Sequence, residues 1–208
     1  MSRTRPDDLG GRTDYWNHNA AYHGWIVHVA SQHHGSVLDV GCGEGLLIQR
    51  LASVSTSVTG IDPDHAAIER ARQRTRGLSK VKLEVAGFLE YPVQEASFDL
   101  VTFVASLHHM DMVTGIRKVR SLLRPGGDLL VVGLAANKTP ADWILSGLKL
   151  PLVLLGSWLH HETRDVGVMA RDARESLADI RKIVQYELPE ARMRRGLYYR
   201  YLLRWRNC

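Results

Sequence analysis

Cysteine is scarce in this chain, and its scarcity excludes a disulfide-stabilised fold. Only two of the 208 residues are cysteine, Cys42 and Cys208, and two thiols cannot form a disulfide framework. This usage is typical of a reducing compartment and predicts a cytoplasmic protein. Residues 1–14 are polar and glycine-rich, without an apolar stretch, so we expect no signal peptide.

Long uninterrupted hydrophobic runs are also missing. The most apolar segment covers 141–159, but Asp142, Lys149 and Pro151 interrupt it. A membrane-spanning helix needs about 20 consecutive apolar residues, so we expect no membrane span. The segment is either a pair of core helices or an apolar lid over a substrate, and both can hold.

The overall composition predicts one globular domain. The chain has 208 residues, of which 45% are hydrophobic, which suffices to bury a core. Its formal net charge is +5, which permits a nucleic-acid partner without requiring one. Much of the positive charge lies near the C-terminus, at Arg192, Arg194, Arg195, Arg200, Arg204 and Arg206.

A glycine-rich turn follows the first predicted strand. Residues 37–45 read Val-Leu-Asp-Val-Gly-Cys-Gly-Glu-Gly, and an apolar helix start follows at Leu46. Glycine is needed where a backbone bends sharply or lies against a ligand. In open α/β sheets, ligands bind at the carboxyl ends of the strands, so this turn predicts a binding site.

The acidic residues beside this turn indicate the kind of ligand. Asp39 precedes the first glycine by two residues, where a carboxylate would repel a phosphate and favour an ammonium group. Asp62 ends a second apolar strand, where a carboxylate can accept hydrogen bonds from ribose hydroxyls. A nucleoside with a positively charged, amino-bearing tail fits both residues, and S-adenosylmethionine (SAM) is such a molecule.

Five motifs in order give the chain a resemblance to the class I SAM-dependent methyltransferases. They are the 38–45 turn, Gly-Ile-Asp at 60–62, Ser-Phe-Asp-Leu-Val at 97–101, Leu-His-His-Met at 107–110 and Leu-Leu-Arg-Pro-Gly-Gly at 122–127. The resemblance implies methyl transfer from SAM to a small-molecule acceptor. It leaves the acceptor, the attacking atom and the oligomeric state open.

The sequence pattern and the resemblance predict an α/β fold. We expect a single Rossmann-like, doubly wound domain whose mostly parallel, seven-stranded sheet ends in a C-terminal antiparallel hairpin. The predicted strands are 36–40, 57–61, 80–85, 98–104 and 128–134, with the hairpin over 191–206. The predicted helices are 14–33, 46–53, one from Pro63 to about Arg76, one capped by Asp111, and 171–186.

The whole of 1–208 is predicted to be one methyltransferase domain with four parts. Residues 1–34 form an N-terminal helical cap, and 36–134 form the SAM-binding core. Residues 137–170 form an apolar insertion or substrate cap. Residues 171–208 hold the last helix and the hairpin.

By resemblance, most cofactor-binding residues lie along the strand ends. Asp39 faces the methionyl amino group or, alternatively, pins the turn. Asp62 holds the ribose, and Pro63 lies near the adenine. The remaining predicted cofactor residues are Gly41, Cys42, Gly43, Gly87, Phe88, Val104, Tyr15 and His23, the last two as part of the cap. Cys42 is interpreted as a small side chain that suits the turn rather than as a nucleophile.

One position departs from the family pattern. Family members often carry Asp about five residues before the proline of the third motif, where it reads the adenine amino group. That place holds Gly87 here. Backbone groups of Gly87 and Phe88 remain available to adenine, and the Phe88 ring can pack on it.

Histidines supply the candidate catalytic groups. His108 and His109 follow the fourth strand, and a histidine can take a proton from an attacking nucleophile. Alternatively, one packs under the turn and the other lines the pocket. A metal site is not predicted, because His18, His23, His28 and His33 recur every five residues and spiral around a helix.

The arginine-rich tail has two interpretations. Arginine mixed with tyrosine and tryptophan can bind RNA, which would make the chain an RNA methyltransferase. The favoured interpretation is a sheet-edge hairpin with aromatic residues inward and arginines in water, so nucleic acid is not the expected partner. A third possibility is a SAM-binding protein without catalysis, for which Gly87 is the motivation.

Overall fold

The computed structural model describes residues 18–136, 175–196 and 200–208. Seven strands form one sheet in the order β3-β2-β1-β4-β5-β7-β6. The strands are β1 (Ser36–Val40), β2 (Ser57–Asp62), β3 (Val81–Val85), β4 (Phe98–Val104), β5 (Leu123–Leu134), β6 (Arg192–Arg195) and β7 (Arg200–Arg206). The helices are α1 (His23–His33), α2 (Leu46–Leu51), α3 (His65–Arg74), α4 (Met112–Leu122) and α5 (Leu177–Glu187).

The sheet confirms the predicted fold class. Strands β1 to β5 pair in parallel, as alternating strands and helices require. Strand β7 pairs antiparallel with both β5 and β6, which is the predicted C-terminal hairpin. The chain adds β2 and β3 on one side of β1, and then β4 and β5 on its other side. The switch point therefore lies between β1 and β4, and open α/β sheets bind ligands at such a point.

Helices cover both faces of the sheet, so two apolar clusters form. One cluster contains Ile26, Ile48 and Ile68, from α1, α2 and α3. The other contains Ile116 and Val184, from α4 and α5. Since side chains alternate between the two faces of a strand, β1 sends Val37 to the first cluster and Leu38 to the second.

Three helix starts differ from the predictions. Helix α5 begins at Leu177, after its N-cap Ser176, rather than at residue 171. Helix α1 begins at His23, after a short 3-10 turn at Ala20–Tyr22, rather than at residue 14. Helix α3 begins at His65 because the Asp64 carboxylate accepts hydrogen bonds from the backbone amides of Ala66 and Ala67. Pro63 therefore lies before the cap, and its predicted place in the first helical turn was wrong.

The beginning of β5 also differs from the prediction. The strand begins at Leu123 rather than at residue 128, and its pairing with β4 shifts register between Phe98 and Leu100. Gly126 lies in this irregular stretch with φ of +80°, a backbone conformation that suits glycine. Regular pairing resumes at Asp128, where the sequence pattern placed the strand start.

The hairpin separates its aromatic and basic side chains, as predicted. Tyr201 and Trp205 are buried in the cluster with α4 and α5. On the opposite face, the carboxylate of Asp128 accepts hydrogen bonds from Arg204 and Arg206, at 2.9 and 2.8 Å to Oδ2. His33 of α1 lies 2.7 Å from the same oxygen. Two of the arginines are therefore held in an ion-pair cluster at Asp128, where the regular pairing of β5 begins.

The environment of Asp128 explains why a fully buried carboxylate stays charged. Burial raises its pKa, but the hydrogen bonds from Arg206, Arg204 and His33 outweigh burial and lower the pKa to about 2. An unpaired carboxylate in this place would be costly. The cluster therefore fixes β7 against β5.

Several predicted features lie outside the described residues. These are residues 1–17 of the N-terminal cap with Asp14 and Tyr15, the 137–170 cap with its 141–159 apolar segment, and residues 171–174 of the predicted last helix. Within the part of the chain that is described, none of the helices has the length and apolar character to cross a membrane.

Candidate active site

The glycine-rich turn leaves β1 in a conformation that only glycine tolerates well. Gly41 and Gly45 have φ of +72° and +79°, where other L-residues are strained by roughly 1–2 kcal/mol. A Cβ on Gly41 would also collide with the side chain of Ser106, and one on Gly45 would lie 2.9 Å from the Ala71 Cβ. The turn is thus pressed between the start of the β4–α4 loop and helix α3.

Backbone amides of the turn are bound to the end of β2. The amides of Gly41 and Cys42 donate to the Ile61 carbonyl at 2.8 and 3.1 Å. The Gly43 amide donates to Oδ2 of Asp62 at 2.9 Å. The group that pins the turn is therefore Asp62, and no hydrogen bond from the turn to Asp39 is present among the described residues.

Asp62 still has capacity to accept further hydrogen bonds. Its Oδ1 accepts from the Asp64 amide at 2.9 Å, so each carboxylate oxygen has one backbone partner. A carboxylate offers about four acceptor positions, which leaves about one for each of two ligand hydroxyls. The carboxylate is already oriented by the backbone, as a preorganised ribose site requires.

Glu44 fastens the other side of the turn to α3. Arg74 donates from Nε to the Glu44 carbonyl at 3.1 Å and from Nη2 to its carboxylate at 3.2 Å. Arg70 lies 3.9 Å from the same carboxylate. These contacts hold the turn against α3 independently of Asp62.

Asp39 lies beneath the turn and is 2% exposed. Its Oδ1 accepts a hydrogen bond of 2.7 Å from the Thr102 hydroxyl, and the two residues are register partners on β1 and β4. The pKa of Asp39 is raised to about 7, mainly by burial; the Thr102 hydrogen bond opposes this shift, and the charge of Asp62 adds to it. Near neutral pH this carboxyl group is therefore poised between its two forms.

Cys42 directs its side chain into the core rather than towards a ligand. It packs in the cluster with α1, α2 and α3, and its sulfur lies 3.0 Å from where a Cβ on Gly60 would be. Burial, with the charges of Asp39 and Asp62, raises the pKa of the thiol far above neutral. A thiol that stays protonated is a poor nucleophile, so the backbone of Cys42 is what it contributes to the turn.

The loop that follows β4 starts beside the turn and carries two histidines. After Val104, Ala105 adopts φ of +54°, and the Ser106 hydroxyl donates to the Val40 carbonyl. His108 and His109 follow in a 3-10 turn with ring centroids 4.2 Å apart. His108 is buried and His109 is exposed, so His109 is the one that solvent or a ligand can reach.

The loop after β3 completes this edge of the sheet. The Ala86 amide donates to the Asp62 carbonyl at 3.1 Å, so Gly87 lies close to the carboxylate-bearing residue. The Phe88 ring is buried edge-to-face against Phe103, with centroids 5.3 Å apart. It therefore presents backbone rather than its ring to a ligand. Pro63 is exposed at the same edge.

The N-terminal cap residues are placed only in part. Tyr15 lies outside the described residues. His23 is buried, and its Nδ1 lies 3.4 Å from the Arg50 guanidinium of α2. Burial and the charge of Arg50 lower the pKa of His23 to about 3, so it is neutral at physiological pH. In the described parts of the chain, no three metal-binding side chains converge.

The structure therefore brings most predicted residues to one edge of the sheet, and it adds others. Thr102, Ser106, Arg74, Glu90 and Lys118 were not predicted. Thr102 gave a usable signal, since it is a polar residue inside the apolar strand 98–104. The other four residues could not be predicted, because their roles depend on contacts with residues distant in the chain, which a local sequence pattern does not reveal.

Comparisons with known proteins agree with this geometry. A family profile described as a methyltransferase domain matches residues 37–127. An uncharacterized methyltransferase of Mycobacterium tuberculosis is 31% identical over 92% of this chain and 96% of its own length. A ubiquinone biosynthesis O-methyltransferase of Pseudomonas paraeruginosa is 30% identical over 75% of this chain and 71% of its own.

A solved structure shares the fold. It is the N-methyltransferase NodS of Bradyrhizobium japonicum in complex with S-adenosyl-L-homocysteine. The TM-score is 0.61 at 22% identity, covering 92% of this chain and 88% of that one.

Proposed function

The chain belongs to the class I SAM-dependent methyltransferases, and from that premise we propose that it methylates a small, partly hydrophobic molecule. SAM is the methyl donor that the family uses. The observation that carries the proposal is the edge described above, where the Gly41 turn, Asp62 and the His109 loop meet.

The residues present fit the cofactor. We assign the ribose hydroxyls to Asp62, since each of its oxygens keeps an acceptor position. We assign the methionyl end to the Gly41 and Gly43 backbone, where a side chain on Gly41 would have no room. Asp39 supplies negative charge beneath that end. SAM, when bound, supplies a methyl group already activated on a sulfonium centre.

The protein's contribution to such a transfer is mainly positioning. An in-line displacement needs the attacking atom held against the methyl carbon in the correct direction. Where the attacking atom carries a proton, a nearby base removes it. We assign that role to His109, because it is exposed on the loop next to Gly41, and we assign His108 to its support through the ring contact of 4.2 Å.

Relatives and sequence pattern support an acceptor with a hydrophobic part. Besides the ubiquinone biosynthesis enzyme, a 27-O-demethylrifamycin SV methyltransferase of Amycolatopsis mediterranei is 38% identical over half of this chain. Both names refer to small-molecule substrates. The apolar 141–159 segment follows β5 in the chain, and we propose it as the hydrophobic wall of the acceptor pocket. In this proposal 1–208 is a single domain, capped by 1–34 and 137–170.

The arginine-rich hairpin lends less support to an RNA acceptor. Base stacking needs accessible aromatic rings, whereas Tyr201 and Trp205 are 2% and 7% exposed. Arg204 and Arg206 are paired with Asp128. RNA binding that weakens steeply with salt would reverse this preference.

The proposal is tested by searching directly for the acceptor. Purified protein is incubated with SAM carrying a deuterated methyl group and with a metabolite extract, which is then analysed by mass spectrometry. We expect labelled methyl in a small molecule of the organic-soluble fraction. Label found only in RNA or protein would contradict the proposal. A reaction without the protein serves as the control for non-enzymatic methylation.

A further inference from the structure

The loop between β3 and β4 lies where the base of a bound nucleoside would be. The Ala86 amide is hydrogen-bonded to the Asp62 carbonyl, at 3.1 Å. Asp62 is the residue that we assign to the ribose. A base is joined directly to the ribose, so it extends from Asp62 over the neighbouring residues of this loop.

This loop has one side chain suited to reading a base. Gly87 has none, and the Phe88 ring is buried against Phe103. Glu90, three residues after Gly87, folds back so that its Oε2 lies 2.5 Å from where a Cβ on Gly87 would be. The Glu90 carboxylate thus fills the space that a side chain at position 87 would occupy.

The Glu90 carboxylate is accessible and has no competing hydrogen bond. Glu90 is exposed, and within residues 18–136, 175–196 and 200–208 no donor is bonded to its carboxylate. Its charge acts on Lys118 of α4. A carboxylate in this state can accept a hydrogen bond from a ligand at little cost.

The backbone around Glu90 is held in place. The Tyr91 amide donates to the Gly87 carbonyl at 3.0 Å, which closes the loop. The Lys118 ammonium donates to the carbonyls of Leu89 and Tyr91, at 2.9 and 2.7 Å, on both sides of Glu90. It also lies 5.2 Å from the Phe88 ring centroid. The loop therefore presents Glu90 from a fixed backbone rather than from a freely moving one.

We propose that Glu90 accepts a hydrogen bond from the exocyclic amino group of the cofactor's adenine, in the place that Gly87 leaves without a side chain. The proposal rests on the assignment of the SAM site above. An amino group on the purine ring donates hydrogen bonds and a carboxylate only accepts them, so the pair is complementary. Glu90 is therefore a specificity-determining residue for the cofactor.

The test compares two ligands that differ only in this amino group. Isothermal titration calorimetry measures the Kd of S-adenosylhomocysteine and of its purine-riboside analogue, which lacks the 6-amino group. We expect the wild-type chain to bind S-adenosylhomocysteine about tenfold to a hundredfold more tightly, the range for a hydrogen bond to a charged group. In Glu90→Ala the two ligands should bind equally.

A relocated carboxylate distinguishes a direct contact from a structural effect. The double variant Gly87→Asp, Glu90→Ala removes the Glu90 carboxylate and supplies one from position 87, in the space that Glu90 fills in the wild-type chain. Aspartate is tolerated at position 87 because φ of Gly87 is not in the left-handed region. We expect this variant to regain the preference for the amino group. Glu95→Gln removes an exposed charge from the same loop and should keep the wild-type preference.

Three outcomes would overturn the proposal. In one, Glu90→Ala keeps the preference for the amino group. In another, Glu90→Ala raises the Kd of both ligands by the same factor while the melting temperature of the protein is unchanged, which would mean a general effect on the loop. In the third, the wild-type chain binds S-adenosylhomocysteine but does not distinguish it from the analogue. Failure of the wild-type chain to bind either ligand would instead contradict the cofactor site itself.

Discussion

Binding of the cofactor should depend on pH through Asp39. This carboxyl group has a pKa of about 7 in the ligand-free protein because it is buried. An ammonium group above it favours the ionised form, so the ligand binds the carboxylate and not the neutral acid. Protonation of Asp39 should therefore weaken binding as the pH falls through 7, and binding should become independent of Asp39 about one pH unit above its pKa.

The expected magnitude follows from the fraction of ionised Asp39. Apparent affinity falls in proportion to the binding-competent fraction, so Kd should rise about twofold at pH 7 and about tenfold at pH 6, relative to the Kd expected for fully ionised Asp39. Calorimetry with S-adenosylhomocysteine at pH 6, 7 and 8 measures this slope. Repeating it in buffers of different ionisation enthalpy counts the proton released on binding at pH 6.

Two substitutions separate Asp39 from other titrating groups. Asp39→Asn is neutral at every pH and should remove the dependence, with a Kd at pH 8 that is higher than that of the wild-type chain. Thr102→Val removes the hydrogen bond that lowers the Asp39 pKa, so the dependence should move to higher pH. Thr75→Val also replaces a buried threonine, one that bonds only the Ala71 carbonyl, and is the matched control.

A flat Kd between pH 6 and 8 would refute this reasoning, as would an unchanged slope in Asp39→Asn. The nearby ionisable groups are Asp62 on β2 and Cys42 in the turn, whose charges couple to Asp39. The Cys42 thiol is protonated throughout this range because its pKa is raised. A slope that persists in Asp39→Asn would therefore mean that Asp39 is not the group that makes binding depend on pH.

Further predictions concern stability and the remaining site residues. The pKa of Asp39 is raised from 3.8 to about 7 in the folded state, so the folded protein favours the neutral acid. The protein should therefore lose stability as the pH rises from about 4 to 7, because Asp39 must then ionise in a buried place. Asp39→Asn should therefore increase the free energy of unfolding at pH 8 by up to about 4 kcal/mol, measured by urea denaturation; a variant no more stable than wild type would contradict this. Asp62→Ala should weaken SAM binding about tenfold to a hundredfold in calorimetry, since it removes a charged acceptor; unchanged affinity in the folded variant would exclude Asp62 from the site. His109→Ala should lower kcat and leave SAM affinity within a few-fold, whereas lost SAM binding would assign His109 to the cofactor. Trp143→Ala, in the apolar segment, should raise the acceptor KM with a smaller effect on SAM, and the reverse order would exclude that segment from the acceptor pocket.

The sequence predicted the elements whose local signals are strong. Strand β4 has the bounds 98–104 that its apolar run indicated, and Asp111 caps α4 as expected. The Asp64 cap was missed because Pro63 is equally suited to begin a helix. The start of α1 was placed too early because aromatic residues between 14 and 22 continue a helical pattern.

Contacts within the site were harder to predict than its location. The glycine turn and Asp62 were identified from their order along the chain. That the Gly43 amide bonds to Asp62, and Thr102 to Asp39, depends on the register of β1 against β2 and β4. The position of Glu90 beside Gly87 depends on a loop closed by Lys118 from another element.

The order of the strands has a consequence for how the chain folds during synthesis. Strand β7 follows β6 in the chain but lies between β5 and β6 in the sheet. A nascent chain that has completed β6 therefore has no partner for it, and the β5 edge stays open, as an edge able to pair with another chain. Before β7 pairs with β5, the Asp128 carboxylate lacks its hydrogen bonds from Arg204 and Arg206 and is hydrated by solvent instead. Docking of β7 should thus be a late, cooperative event, and released chains truncated before residue 200 should be the ones that chaperones recognise.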